Sequence, residues 1–186
     1  MITLENITYT THGSTLLDPP SFTTLPGAIV KITGHNGAGK TTFLRILAGI
    51  IQPKTGDIIH TQTHVNYIGH NLGIKDDLTP REQLLFWAGF EHSEMLIPAT
   101  LKITELEEMA DIFCYKLSAG NKQKLAISKL LISMTNIWVL DEIDSALDDA
   151  NTALLSNLMA TKANNGGIIF FSSHRDVLPF SFKIEI

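Results

Sequence analysis

The sequence predicts a two-lobed α/β fold, and three observations carry that expectation. An apolar run ending at Thr33 passes into a helical pattern at Lys40 across the glycine-rich stretch "GHNGAG". "IWVL", Ile137 to Leu140, is a short all-apolar run of the kind found in strands buried on both faces of a sheet. Before the glycines, residues 2–33 are rich in β-branched segments, whereas most of the chain from residue 79 to 133 reads as helical.

The elements follow in order. "ITLENITYT", "STLLDPPSFTTL" and "AIVKIT" are short strands separated by His-Gly, Pro-Pro and Pro-Gly turns. Phe43, Leu44, Leu47 and Ile51 then recur at helical spacing. After the turn "QPKTGD", the stretch from Ile58 to Ile68 reads as a strand pair. "LTPREQLLFWAGF" opens a helix, with Thr79 as N-cap, Pro80 at the first helical position and Glu82 closing a capping box. A further helix opens at Ser118, another covers about Asp149–Lys162, and "IIFFSS" is a strand beyond the turn "NNGG". There is no internal repeat, low-complexity segment or linker marking a second independent domain.

Composition narrows the function classes. The 186 residues are 44% apolar and 18% charged, as in a globular chain. A net charge of −5 argues against a protein that grips nucleic acid through a basic face, so no nucleic-acid partner is expected. Cys114 is the only cysteine, which rules out an intramolecular disulfide and suits a reducing compartment. No run reaches the ~18 apolar residues of a membrane span, and "MITLENITYT" lacks the basic start and apolar core of a signal peptide. If a membrane is involved, another chain crosses it.

Gly34 through Thr41 matches G-x-x-x-x-G-K-[ST] between a strand and a helix, the context a phosphate-binding loop requires. Gly34, Gly37 and Gly39, with His35, Asn36 and Ala38 between them, let backbone N–H groups turn inward on phosphate oxygens, and the next helix adds its positive end. Lys40 is placed to reach the β and γ phosphates of ATP, Thr41 to ligate Mg²⁺ through its hydroxyl, and Thr42 to complete the binding residues. An acidic partner stands in "IWVLDE": Asp141 can hold Mg²⁺ through water, and Glu142 can orient or deprotonate an attacking water. By itself the Asp-Glu pair reads equally as strand-end solvation.

"LSAGN", Leu117 to Asn121, precedes Asp141, and "SALD", Ser145 to Asp148, follows Glu142. In that order the motifs make the chain resemble the ABC ATPase family over almost its whole length. The resemblance implies a single P-loop NTPase cassette over residues 1–186: a RecA-like core, an N-terminal antiparallel β lobe and a small helical lobe at about 72–133. It implies that Ser118 and Gly120 bind the γ-phosphate of ATP held by a second copy of the chain, and that Asp148 crosses the interface between the copies. His174, in "FFSSHR", corresponds to the switch histidine, which contacts the γ-phosphate and the catalytic Glu142. ATP and Mg²⁺ are the implied ligands. A transmembrane permease subunit is the implied partner, with the cassette peripheral on the cytoplasmic face of the inner membrane.

Several positions depart from the family pattern. Asn121 closes the signature in place of glutamine, Ile143 replaces a proline, Arg175 stands where aspartate is common, and His70 falls where a glutamine senses Mg²⁺ and water. Thr11 occupies the position of the aromatic that stacks on adenine, leaving Tyr9 or His12 as substitutes. "VNYIGHNLGIKDDLTPREQLLFWAGF" and "ITGHNGAGKTTFLRILAGI" are similar to the ATP-binding subunits of cytochrome c maturation systems, in which a Gly-His pair commonly replaces the glutamine region. That similarity implies haem handling or export. Another ABC importer or exporter, a soluble assembly ATPase and a non-hydrolysing scaffold are the alternatives. His60 and His64 are too far apart along a strand to share one ion. Trp138 is expected in the core, and Lys122, Lys124 and Lys129 on a solvated helix face.

Overall fold

The computed structural model describes residues 1–11, 15–60, 64–145, 147–175 and 177–186, without the side chains of Thr15 and His60. The chain divides into two compact units. Met1–Tyr67, Thr135–Glu142 and Met159–Ile186 form the first, and Ile68–Met134 with Ile143–Leu158 the second.

In the first unit, β1 (Ile2–Thr11) pairs antiparallel with β2 (Thr15–Leu17), β3 (Phe22–Thr24) and β5 (Thr55–His60). Ile2 and Leu4 are buried, and so are Ile7 and Tyr9. The two pairs are out of phase by one residue, so the strand needs an extra residue to turn both inward. The register shift between Glu5 and Thr8 supplies it, with Asn6 at φ 48°.

The second sheet has the order β6 (Asn66–Ile68), β7 (Ile137–Asp141), β8 (Ile168–Ser172), β4 (Ile29–Thr33) and β9 (Phe182–Glu185). β4 runs parallel to β8 and β9, and β7 parallel to β8. β7 and β8 are buried along their whole length, as their apolar runs Ile137–Leu140 and Ile168–Phe171 require, and the burial extends to Asp141 and Ser172 at their ends. Val30, Ile32, Val139 and Phe170 pack with Phe43, Leu44 and Leu47 of α1 (Lys40–Leu47). Each such side chain contributes about 1.5–3 kcal/mol of burial. Trp138 is buried in β7, as expected, with the Lys162 ammonium 5.0 Å from its ring centre.

Three elements differ from the sequence reading. The helix after the glycines ends a turn early: Gly49 enters the left-handed region at φ 72°, and Ile51 lies outside the helix and exposed. The stretch from Ile58 to Ile68 is not one strand pair, since β5 joins the antiparallel sheet and β6 the other. β9 was not anticipated, because "FKIE" buries only Ile184 and shows no apolar run.

The second unit is helical, with α2 (Pro80–Gly89), α3 (Ile97–Ile103), α4 (Ala119–Ile132) and three short 3₁₀ turns between Glu94 and Lys116. Leu84, Ala88, Leu101, Leu106 and Leu125 form its core. α5 (Asp149–Asn164) follows. The α4 lysines are not simply solvated. Lys122 pairs with Asp76 and Lys124 with Glu105, while Lys129 packs over Trp87, where burial lowers its ammonium pKa despite Glu91 nearby.

The capping box at α2 is complete: the Glu82 N–H donates to Thr79 Oγ1 at 3.2 Å, and the Thr79 N–H donates to Glu82 Oε2 at 2.8 Å. Thr79→Ala removes the first of these, so a loss of about 1 kcal/mol is expected in denaturant unfolding.

Candidate active site

The glycine loop is shaped by backbone conformations that side chains disfavour. Gly37 and Gly39 lie at φ 82° and 102°, and Gly34 at 147°. A Cβ on Gly39 would lie 2.6 Å from Leu17 Cδ1 and 2.9 Å from Thr11 Cγ2. No atom of the described residues lies within 4 Å of where a Cβ on Gly37 would stand, so among them the backbone there is bare to a ligand. Ala38 is buried and donates its N–H to the His35 carbonyl, and His35 Nδ1 lies 2.8 Å from the Asn36 carbonyl.

Lys40 is buried, which an ammonium tolerates only with partners. Its Nζ donates to the carbonyls of Gly34 and His35, at 2.9 and 3.0 Å. The loop thus folds around its own lysine.

A cleft of about 400 Å³ opens over this loop, bounded by Thr11, Asn36, Gly37, Gly39, Lys40, Thr41 and Thr42 together with Glu142 and His174. The structure therefore gathers the glycine loop, Glu142 and His174 around one space. His174 Nε2 lies 3.0 Å from Glu142 Oε1. Glu142 itself has φ 55°, a left-handed conformation that carries its side chain off the line of β7.

Asp141, at the end of β7, is 1% exposed. Its Oδ1 accepts a hydrogen bond from Ser172 Oγ at 2.7 Å, while its Oδ2 is buried without a hydrogen-bond partner among the described residues. A buried carboxylate oxygen left bare is costly, and a cation or its water would satisfy it. Among the described residues no three His, Cys, Asp or Glu side chains cluster to hold a metal. The hydroxyl of Thr41 and the carboxylate of Asp141 are hard oxygen donors that suit Mg²⁺ alongside phosphate. Nearby, the Tyr67 phenol pKa is raised, first by burial and further by the charge of Asp141, with Arg45 opposing the shift.

The remaining predicted residues lie in the second unit. His70 is exposed in the turn after β6, where the Leu72 N–H reaches the Gly69 carbonyl. Ser118 caps α4, its Oγ accepting the Asn121 N–H at 3.2 Å. Gly120 is in the first turn of that helix. Asn121, in place of the family's glutamine, donates from Nδ2 to Met109 Sδ at 2.8 Å. Asp148 Oδ1 accepts both the backbone N–H and the side-chain amide of Asn151, and these bonds hold its carboxyl below the usual range.

Tyr9 is not an adenine-stacking residue. Its ring is in the core, 5.9 Å from that of Phe43, and burial raises its phenol pKa. His12 lies outside the described residues, and Thr11 borders the cleft. Ser172 was missed by the sequence reading, because a serine closing an apolar strand gives no sign that its hydroxyl turns toward an aspartate on the next strand.

A loop that cradles its own lysine, an acidic strand end and a histidine-glutamate pair on one cleft are the parts of a P-loop ATPase. A model of the family described as ABC transporter matches residues 17–145. The chain is 41% identical over 170 residues to the cytochrome c biogenesis ATP-binding export protein CcmA of Rickettsia typhi, covering 87% of this chain and 86% of that one. To the protein of the same name from Wolbachia pipientis it is 34% identical, covering 94% and 89%. A solved dimeric bacterial ABC transporter cassette superposes with a TM-score of 0.86 at 22% identity, covering 100% of this chain and 94% of that chain, and so shares the fold. The chain belongs to the ABC transporter family, as an ABC-type ATPase of the CcmA group.

Loss of the loop's ammonium has a direct readout. Lys40→Ala is expected to raise the dissociation constant for a fluorescent ATP analogue by about tenfold or more, with the circular dichroism spectrum unchanged.

Proposed function

We propose that the chain hydrolyses ATP to drive a separate transmembrane permease subunit in cytochrome c maturation, where the complex exports haem or releases it from a haem chaperone. The observation that carries the hydrolytic reading is the Glu142–His174 contact of 3.0 Å on the wall of the cleft that holds Lys40. The cytochrome c assignment is supported by the shared name of the relatives and by His70 in its Gly-His pair.

On this reading Lys40 exchanges the carbonyls of Gly34 and His35 for the β and γ phosphates, and the loop N–H groups from Gly34 to Thr42 enclose them. Thr41 and Asp141 would hold Mg²⁺, which neutralises phosphate charge when bound. Glu142 orients the attacking water and takes up its proton. His174 fixes the Glu142 carboxylate and hydrogen-bonds the γ-phosphate, while His70 takes the place of the family's glutamine as a second contact to water. Ser118 and Gly120 of a second copy complete the phosphate site, and Asp148 crosses between the copies.

Among the described residues no helix is long and apolar enough to cross a membrane. Peripheral attachment at the cytoplasmic face of the inner membrane, through the permease, follows from the proposed role. The second unit exposes Leu85, Phe86, Phe90 and Met95, and these apolar side chains support it as the surface that meets the permease.

Two experiments test the proposal. Glu142→Gln keeps the shape of the side chain but removes its basicity, so it should bind ATP, lose hydrolysis by about a hundredfold or more, and elute as a dimer with ATP present. Hydrolysis at the parent rate would show that another group handles the water. In the native host, Lys40→Ala should abolish covalent c-type haem on stained gels while b-type haem persists and the altered protein accumulates. Unchanged staining would remove cytochrome c maturation and point to another transport system or a soluble assembly role.

A further inference from the structure

We propose that Ser172 is the positioning residue of the hydrolytic centre, one hydroxyl that sets the orientation of both Asp141 and Glu142. This rests on the roles given above to those two carboxylates.

Ser172 ends β8, 1% exposed, and pairs with Asp141 of β7 in the parallel register. Its Oγ donates to Asp141 Oδ1 at 2.7 Å and accepts the Glu142 N–H at 3.1 Å, while its carbonyl accepts the same N–H at 3.2 Å. A serine hydroxyl has a single proton. Here that proton goes to Asp141, and a lone pair is turned to Glu142.

Two consequences follow. With Oδ1 occupied, the Asp141 carboxylate is held from rotating, and Oδ2 is the oxygen left for a cation. The second concerns the backbone of Glu142, whose φ of 55° is unfavourable for a residue with a Cβ. Two acceptors on one N–H hold the chain in that turn, which aims the carboxylate at His174. Alanine fits the same space, yet it leaves Asp141 with both oxygens unpartnered among the described residues and removes one of the two acceptors of the Glu142 N–H.

The test uses the full chain as Ser172→Ala and Ser172→Thr, with Asp141→Asn and Glu142→Gln alongside. Mn²⁺ binding is read by electron paramagnetic resonance in the presence of ADP, where there is no turnover. Nucleotide affinity is read separately in a chelator, and steady-state hydrolysis gives kcat and KM. Ser172→Ala should lower kcat by about tenfold or more and weaken Mn²⁺ by about fivefold, while metal-free nucleotide affinity and KM for ATP stay within about twofold. Ser172→Thr, which keeps the hydroxyl, should recover kcat and Mn²⁺ affinity. A merely structural serine would instead lower metal-free affinity along with everything else, and that result overturns the proposal. So does a Ser172→Ala variant with the parent kcat and Mn²⁺ affinity. If Glu142→Gln and Asp141→Asn are inactive while Ser172→Ala is not, the Ser172 role alone falls. If Glu142→Gln hydrolyses normally, the assignment of the carboxylates falls and takes this proposal with it.

Discussion

The site depends on the parallel register of three strands. Ile32 of β4 and Asp141 of β7 both pair with Ser172 of β8, so one row across the sheet carries the entry to the glycine loop, the serine and the first carboxylate. Because side chains alternate along a strand, a slip of one residue between β7 and β8 would turn Asp141 to the opposite face. What prevents the slip is the apolar core. Val139, Phe170 and Ile32 are each 0% exposed, and a shifted register would point them away from α1. The chemistry at the strand ends is thus fixed by packing several residues earlier in each strand.

The glycine loop shows the same economy at shorter range. Gly39 has no room for a Cβ, because Leu17 and Thr11 press on it, so the antiparallel sheet helps to set the path of the loop. The backbone then turns the carbonyls of Gly34 and His35 onto the Lys40 ammonium, which satisfies a buried cation at two points. An anion entering the cleft competes with those carbonyls for the lysine. On the function proposed above, the loop and the lysine would exchange partners, with the N–H groups of the loop as the second half of the exchange.

Much of this was legible in sequence because the signals are local. The glycine spacing, the Thr79 capping box, the apolar strand before Asp141 and the order of the motifs each depend on neighbours in the chain. The family resemblance then tied His174 to Glu142, which residue patterns alone do not do. What escaped the sequence is set by pairing across the sheet. Ser172 acquires its role from a strand 31 residues away in sequence, and Tyr9 is removed from the cleft by the one-residue bulge in β1, which turns it onto Phe43. β9 exists because the edge of β4 offers hydrogen bonds, not because its own sequence is a strong strand. The early end of α1 comes from Gly49 taking a left-handed turn that periodicity in Ile51 overrode in the reading.

The signature residues raise a separate question, whether groups that already serve the fold can also serve a second copy. Ser118 Oγ accepts the Asn121 N–H, which uses a lone pair and leaves its proton available to an anion. In Asp148, Oδ1 takes both bonds from Asn151, and those bonds favour the charged form of the carboxyl. Neither cap has to be broken for an outside group to engage the exposed side chain. Gly120 adds the converse argument. Glycine loses more conformational freedom on folding than alanine does, and among the described residues outside the helix's own backbone the nearest atom to a Cβ there would be Ser118 Oγ at 3.9 Å. Packing among the described residues gives no reason for that glycine. The close approach of a phosphate held by another copy, as proposed above, would be such a reason, and it would use bare backbone of the kind that the loop from Gly34 to Gly39 presents.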